Sequence, residues 1–323
     1  MKYTTLGRTG LKVSRIAFGT WQLGGEWGPT DEPAAIAAIR RAADQGVTLF
    51  DTAQAYGFGA SERLLAKALT GLDRSAMVIA TKGGLRPGDL GGANRDSSPA
   101  WIRAGVESSL RALNTDYIDL YQVHWPDSAV PFAETADTLA KLVADGKIRH
   151  VGVSNFDAAQ MAEFGETLPV ETLQPPYHLF RRDIEAEILP YTAAHDIGVL
   201  VYGPLAHGLL TGKLSAKTTF APDDWRGRSE MFTGAVFERN LRTVAELDKL
   251  AHDELGASVD QLATAWTLAN PAVQVGIIGT RQAAHVDAAV TAADLQLDTG
   301  MLGRIDDIMR SGQQTAGPSP DSI

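Results

Sequence analysis

The 323-residue chain contains no cysteine, which excludes disulfide frameworks, zinc–thiolate sites, iron–sulfur clusters and thiol nucleophiles, and gives no reason to invoke an oxidising compartment. Positive charge is also in short supply. Thirty-nine acidic residues against 29 basic ones leave a formal charge of -10, so nucleic acid and anionic membrane surfaces are disfavoured partners. No apolar run approaches the roughly 18 residues of a membrane span. The opening Met1-Lys2-Tyr3-Thr4-Thr5-Leu6-Gly7 lacks the apolar stretch of a signal peptide, and the expected location is cytoplasmic. The G-x-G-x-x-G fingerprint of a Rossmann half is missing. A Walker A loop is missing too: Gly203 to Gly208 has its glycine spacing, but Leu209 and Leu210 stand where Lys and Ser or Thr belong.

What is present is an alternation of two periodicities. Short β-branched runs, at Ile16 to Phe18, Thr48 to Phe50, Val78 to Thr81, Ile118 to Val123, Ile148 to Val153, Glu171 to Leu173, Val199 to Tyr202 and Val275 to Ile278, read as strands. Between them, stretches with apolar residues three and four apart read as helices: Glu32 to Gln45, Ser61 to Leu69, Pro99 to Leu113, Phe132 to Ala144, Ala158 to Phe164, Ile184 to His195 and Val236 to Leu255. Asp31 suits a helix cap and Pro33 a first turn.

Eight nearly unbroken apolar strands demand burial on both faces, and a closed (β/α)8 TIM barrel of the α/β class meets that demand without a free edge. The runner-up, an open doubly wound sheet, lacks its nucleotide fingerprint. Thr4 to Leu6 and Lys12 to Ser14 read as a β-hairpin plugging the barrel bottom, and Ser258 to Ala269 and Gly300 to Ser311 as extra helices near the C-terminus. Residues 1–311 form one barrel domain in this reading, with 312–323 a disordered tail. Two loops, 83–98 and 213–233, are long enough to be lids, the second carrying Trp225, Arg226 and Arg228. A monomer is the default expectation.

Reacting groups in such a barrel follow the C-terminal ends of the strands. Asp51 follows Leu49-Phe50, with Tyr56 five residues on; Lys82 follows Ile79-Ala80-Thr81; His124 follows Gln122-Val123; Ser154 and Asn155 follow Val151-Gly152-Val153. Each alone has a structural explanation as a cap, a solvated lysine or a hydrogen-bonded histidine. Together they suggest proton transfer to an oxygen. A phenol of ordinary pKa about 10 acts as an acid near neutrality only if its phenolate is stabilised, which the Lys82 ammonium would do, with Asp51 holding the lysine. His124, as a neutral imidazole, would orient a carbonyl oxygen. One carboxylate and one imidazole beside a lysine make a poor metal site, and no metal is assigned.

These segments resemble the aldo-keto reductase family. The resemblance runs from Leu6-Gly7-Arg8-Thr9-Gly10-Leu11 through Gly46-Val47-Thr48-Leu49-Phe50-Asp51-Thr52-Ala53 with Tyr56-Gly57, Ala80-Thr81-Lys82, Asp116-Tyr117-Ile118-Asp119-Leu120 with His124, and Gly152-Val153-Ser154-Asn155-Phe156. It continues in Tyr202-Gly203-Pro204-Leu205 and Gly208-Leu209-Leu210-Thr211-Gly212-Lys213, and ends at Gly279-Thr280-Arg281. The chain is most similar to the bacterial inositol-operon and general-stress reductases, and more distantly to potassium-channel β subunits. The resemblance implies NADPH-dependent reduction of an aldehyde or ketone, with NADH an open second cofactor, and a catalytic tetrad at Asp51, Tyr56, Lys82 and His124. It implies that Ser154, Asn155 and Gln174 hold the carboxamide and that Tyr202 stacks on the nicotinamide. Gly203, Pro204, Leu205, Gly208, Leu210 and Lys213 would meet the pyrophosphate, and Gly279, Thr280 and Arg281 the extra phosphate of NADP. Ile278, His285 and Ala289 replace the family's proline, glutamine or glutamate, and asparagine, which predicts weaker cofactor affinity or less discrimination between the two nicotinamides.

Trp21, after the first strand, and Trp125, after His124, are candidate walls of a substrate pocket for modest apolar, aromatic or sugar-derived carbonyls, or alternatively packed core. A second function fits the residues, an aldolase forming a Schiff base at Lys82, and the resemblance to channel subunits implies a third, a nicotinamide-sensing module with little turnover.

Overall fold

The computed structural model describes residues 1–25, 28–88, 92–221 and 224–315. The chain opens with β1 (Tyr3–Thr5) paired antiparallel to β2 (Lys12–Ser14), then runs β3 (Ile16–Gly19), α1 (Glu32–Asp44), β4 (Leu49–Asp51), α2 (Ala60–Leu69) and β5 (Val78–Gly83). It continues through β6 (Leu85–Pro87), β7 (Ala93–Arg95), α3 (Pro99–Leu113), β8 (Ile118–Val123), α4 (Phe132–Ala144), β9 (Ile148–Ser154), α5 (Ala158–Gly165), β10 (Thr172–Gln174) and α6 (Ile188–Ala194). The last elements are β11 (Gly198–Tyr202), α7 (Gly234–Leu255), α8 (Val259–Ala269), β12 (Val275–Gly279), α9 (Ala284–Ala292) and α10 (Thr299–Met309).

Eight strands, β3, β4, β5, β8, β9, β10, β11 and β12, pair in parallel in that order and close on themselves, with Gly279 of β12 opposite Gly19 of β3. This is the (β/α)8 TIM barrel expected. All six residues of β5 and of β8 are buried, which is why their sequence shows no polar face. Helix starts follow local chemistry. Asp31 accepts from the Ala34 amide at 3.1 Å with Pro33 in the first turn of α1, and Ser98 caps α3 just before Pro99.

The barrel interior is filled from below. Leu6 is fully buried among Leu49, Val78, Leu120, Leu200 and Val275, carried there by the turn that joins β1 to β2. That turn lies so close to β11 that a Cβ on Gly7 would come 2.2 Å from the Gly198 amide nitrogen, and Gly7 has φ +48°. Outside the barrel, Ile39, Phe50, Leu65, Val106 and Leu139 pack one half of the helical ring, and Val199, Val201, Leu247, Leu262 and Trp266 the other. Each such buried side chain contributes about 1.5–3 kcal/mol.

Four expectations change. The helix anticipated over 184–195 is broken into a 3₁₀ turn at Asp183–Glu185 and α6. Loop 83–98 contains the β6–β7 hairpin, with Leu85 opposite Arg95, while residues 89–91 lie outside the described residues. Loop 213–233 contains 3₁₀ turns at Trp225–Arg228 and Glu230–Phe232, with 222 and 223 likewise outside them. The described part of the supposedly disordered tail, 312–315, is tied down. The Thr315 amide donates to Phe180 O at 2.7 Å and the Gln313 amide to Asn240 Oδ1 at 2.9 Å, satisfying groups that polar composition alone does not reveal; 316–323 lie outside the described residues.

Candidate active site

The strands deliver polar residues to one mouth by ending on them. Asp51 closes β4, Ser154 closes β9, Gln174 closes β10, Tyr202 closes β11 and Gly279 closes β12, while Lys82 is the fifth of six residues in β5 and His124 directly follows β8. Tyr56 sits in the turn after β4, which is held to β5 by the Gln54 amide donating to Lys82 O at 2.9 Å.

Lys82 is 1% exposed, and its ammonium donates to Asp51 Oδ1 at 2.7 Å, to Thr52 O at 3.0 Å and to the Tyr56 phenol oxygen at 3.4 Å. The other Asp51 oxygen accepts from Gln174 Nε2 at 2.8 Å. A buried ion pair is costly unless its remaining hydrogen-bonding capacity is met, and here both carboxylate oxygens and the ammonium have partners. The His124 ring lies edge-on to Tyr56, centroids 5.8 Å apart at 80°. Burial, and secondarily the Lys82 charge, hold His124 well below the ordinary histidine range, so it is neutral; its Nδ1 is buried without a partner among the described residues.

A second chain of hydrogen bonds runs beside the first. Tyr202 OH donates to Asn155 Oδ1 at 2.9 Å, Asn155 Nδ2 donates to His124 O at 3.1 Å and to Ser154 Oγ at 3.1 Å, and Ser154 Oγ donates to Gln174 O at 2.8 Å. Asn155 reaches both sides because its backbone is left-handed, φ +62°, a conformation asparagine tolerates better than most residues.

These groups line a cavity of about 340 Å³. Trp21, Asp51, Tyr56, His124, Ser154 and Gln174 form one end. Tyr202, Gly203, Pro204, Leu205 and Gly208 run along it, and Gly279, Thr280 and Arg281 stand at the other end. Lys82 lies behind Asp51 and Asn155 behind Tyr202, each outside the wall but bonded to it. Lys213 is exposed and joins the far rim through His285, its Nζ 2.8 Å from the ring Nε2.

Two sequence candidates fall elsewhere. Leu210, expected to offer its backbone N–H, does not line the cavity: its side chain is wholly buried in the cluster that includes Leu262 and Trp266, and its amide donates to Leu205 O at 3.1 Å. Trp125 does not line the cavity: its ring packs under the Arg95 guanidinium, 5.2 Å from its centroid, where Arg95 also donates to Pro126 O at 2.9 Å. The cavity in turn includes residues not singled out from the sequence, among them Thr20, Gln22, His207 and Ile277, and it takes in Arg226 from the second of the two long loops. Thr20 and Gln22 follow the end of β3, so the strand-end rule applied there would have found them; His207 carries no such signal.

The donor set fits a nicotinamide dinucleotide. A phenol, an ammonium and a neutral imidazole meet at one end of the cavity, while Thr280, Arg281, His285 and Lys213 gather basic and hydroxyl groups at the other. Among the described residues there is no group of three or more acidic or histidine side chains suited to a metal, and no helix long and apolar enough to cross a membrane.

A barrel of this topology with this mouth defines an oxidoreductase of the carbonyl-reducing class. Residues 15–310 match the Aldo/keto reductase family, and the chain belongs to it. It is 46% identical over 292 residues to aldo-keto reductase YhdN of Bacillus subtilis, covering 89% of this chain and 87% of that one. It is 39% identical over 230 residues to an NADH-specific methylglyoxal reductase of Escherichia coli, covering 67% and 71% of the two chains. Among solved structures, the glycerol dehydrogenase AKR11B4 of Gluconobacter oxydans superposes with a TM-score of 0.88 at 41% identity, covering 96% of this chain and 95% of that one.

Proposed function

We propose that the protein reduces the carbonyl group of an aldehyde or ketone with NADPH, Tyr56 serving as the general acid. The observation that carries this reading is the Lys82 ammonium held 2.7 Å from Asp51 and 3.4 Å from the Tyr56 oxygen at the cavity wall. A reduced nicotinamide supplies a hydride to the carbonyl carbon; the chain supplies everything else. His124, neutral and edge-on to Tyr56, donates a hydrogen bond to the carbonyl oxygen and orients it. Tyr56 passes its phenolic proton to that oxygen as negative charge develops there, and the neighbouring ammonium stabilises the phenolate left behind. Asp51, fixed in turn by Gln174, keeps Lys82 pointed at the phenol. Ser154 and Asn155, already linked to His124 and Tyr202, offer a rigid surface for a carboxamide, and the Tyr202 ring borders the cavity.

NADPH is preferred to NADH on the grounds of Arg281, Thr280 and the Lys213–His285 pair at the far end, which suit a phosphate dianion. The NADH-specific relative makes this preference the part most in need of measurement. A Schiff base at Lys82 is less well supported, since its amine is committed to Asp51 and Thr52 O.

Steady-state oxidation of NADPH and of NADH with a panel of aldehydes tests the reading. Tyr56→Phe should lower kcat by about a thousandfold, within the range that a general acid contributes, while leaving cofactor binding in place. Near-normal turnover in that variant would remove Tyr56 from the mechanism.

A further inference from the structure

Tyr56 is carried by a turn that the chain takes against its own preferences. Gly57, Phe58 and Gly59 follow it with φ of +60°, +42° and +92°, and a Cβ on Gly57 would come 2.3 Å from Gly24 O. A bulky residue such as phenylalanine holds a left-handed backbone only where its surroundings impose one. The restraints lie at both ends of the turn.

At its start, the Thr52 amide donates to Ala80 O and the Gln54 amide to Lys82 O, each at 2.9 Å, which fixes the chain to β5. At its end stands Ser61, the second residue of α2. Its amide donates to the carbonyl of Tyr56 itself, at 3.2 Å. Its hydroxyl donates to Thr20 Oγ1 at 2.7 Å, with Thr20 O 3.0 Å away, and accepts from the Thr52 hydroxyl at 3.2 Å. The Thr20 hydroxyl donates in turn to Asp51 O at 3.1 Å. Because Asp51 and Thr52 are neighbours in the chain, these contacts close into a ring, and its three hydroxyl-bearing residues are wholly buried. A serine within a helix commonly turns its hydroxyl back onto the preceding turn. That of Ser61 reaches across to a residue 41 positions earlier.

We propose that Ser61 is a positioning residue for Tyr56, its hydroxyl tying the start of α2 to the residues that follow β3 and β4 while its amide holds the tyrosine carbonyl. The inference rests on the assignment of Tyr56 as the general acid and adds what aims it. The same ring locates the acid's partners, since the Lys82 ammonium bonds both the Asp51 carboxylate and Thr52 O. The phenol oxygen lies 3.4 Å from that ammonium, at the long end of hydrogen-bond range, so a small shift of the turn separates them. Alanine at position 61 keeps the helix and the amide contact but removes the link to Thr20 and Thr52. The turn then relaxes from its left-handed path, and the phenol moves with it.

The test is single-turnover hydride transfer from bound NADPH to an aldehyde, followed by loss of NADPH fluorescence. Ser61→Ala should lower the rate about tenfold, the scale of a displacement well below 1 Å, with the aldehyde KM and the NADPH dissociation constant within about twofold. In a Tyr56→Phe background the same substitution should change the rate less than about twofold, because a residue that acts only by placing the phenol has nothing left to place. Thr52→Val, which removes another hydroxyl of the ring and keeps the side-chain shape, should follow the same pattern with a smaller loss of about threefold. It decides the matter if urea unfolding shows that Ser61→Ala does not fold. An unchanged rate in the folded variant, or an equal fall with and without the phenol, overturns the proposal. An unaltered protein that reduces no aldehyde, or a Tyr56→Phe variant with near-normal turnover, defeats the function proposed above and this inference with it. A crippled Tyr56→Phe beside a normal Ser61→Ala rejects the inference alone.

Discussion

The two ends of the cavity are built differently. At the reacting end, Asp51, Lys82 and Gln174 sit on strands, are 1–3% exposed, and satisfy one another through hydrogen bonds of 2.7–2.8 Å. At the far end, Arg281, His285 and Lys213 sit on loops and a helix start and are exposed; Lys213 Nζ lies 2.8 Å from His285 Nε2, and the Thr280 hydroxyl 3.3 Å from His285 Nδ1. The first arrangement holds the Lys82 ammonium between Asp51 and the Tyr56 phenol by direct hydrogen bonds. The second supplies charge without a fixed geometry, which suits recognition of a phosphate but not chemistry on it. Burial makes each interaction strong and each deletion costly at one end; water and salt weaken both at the other.

The comparison predicts unequal consequences. Lys82→Met should cost about 3–5 kcal/mol of stability, read by urea unfolding, because it leaves the buried Asp51 carboxylate without its cation. A loss below about 1 kcal/mol would mean that water reaches Asp51 and that the reacting end is less dry than its exposure indicates.

The pH dependence of stability sharpens the same point. His124, His178 and His207 are all held below their ordinary value, mainly by burial. A histidine so lowered binds a proton more readily in the unfolded chain, so its contribution is complete above about pH 6.5 and is lost as pH falls toward the folded value. For His207 that loss extends down to about 4. Each of the three should steepen the decline by up to about 1.4 kcal/mol per pH unit, seen as falling urea midpoints between pH 6.5 and 4.5. Glu62, fully buried and raised by burial, acts with the opposite sign, its contribution fading as pH rises above the ordinary carboxylate range.

At the far end the effects are smaller and confined to binding. Arg281→Ala should raise the NADPH dissociation constant about tenfold, the scale of one charge-assisted hydrogen bond, and the NADH constant less than about twofold, both by fluorescence titration. Equal changes for the two cofactors would detach Arg281 from the extra phosphate. Raising salt from about 0.1 M to about 1 M shortens the Debye length from about 10 Å to about 3 Å, and should weaken NADPH binding severalfold while leaving kcat nearly constant.

Legibility in the sequence divides along the same line. The barrel strands were readable to within one or two residues because two-sided burial leaves each an unbroken apolar run, as in Ile118–Val123. That Asp51, Tyr56, Lys82 and His124 would meet was readable because strand ends are the one place where such a run must stop at the mouth. The β6–β7 hairpin was not: its residues, Leu85-Arg86-Pro87 and Ala93-Asn94-Arg95, are short, partly exposed and free of alternation. His207 was invisible for a different reason. Its place at the cavity wall depends on a left-handed turn and on rings from residues 21, 178 and 225, which no local pattern announces. Trp125 shows the reverse error, since a tryptophan next to His124 looks like a pocket wall until Arg95 is found covering it.

Thr81 and Lys82 mark the boundary between what the sequence determined alone and what required the folded molecule. Being adjacent on one strand, they must point to opposite faces, and the sequence determines that much through the period of two. Which partners meet them was decided only when the sheet closed: Asp51, 31 residues away, reaches Lys82 on the inside, and Glu62 accepts from the Thr81 hydroxyl at 2.7 Å on the outside. Local periodicity comes from backbone geometry, which each residue carries with it. Contacts between strands and loops depend on register, twist and closure, which belong to the barrel as a whole.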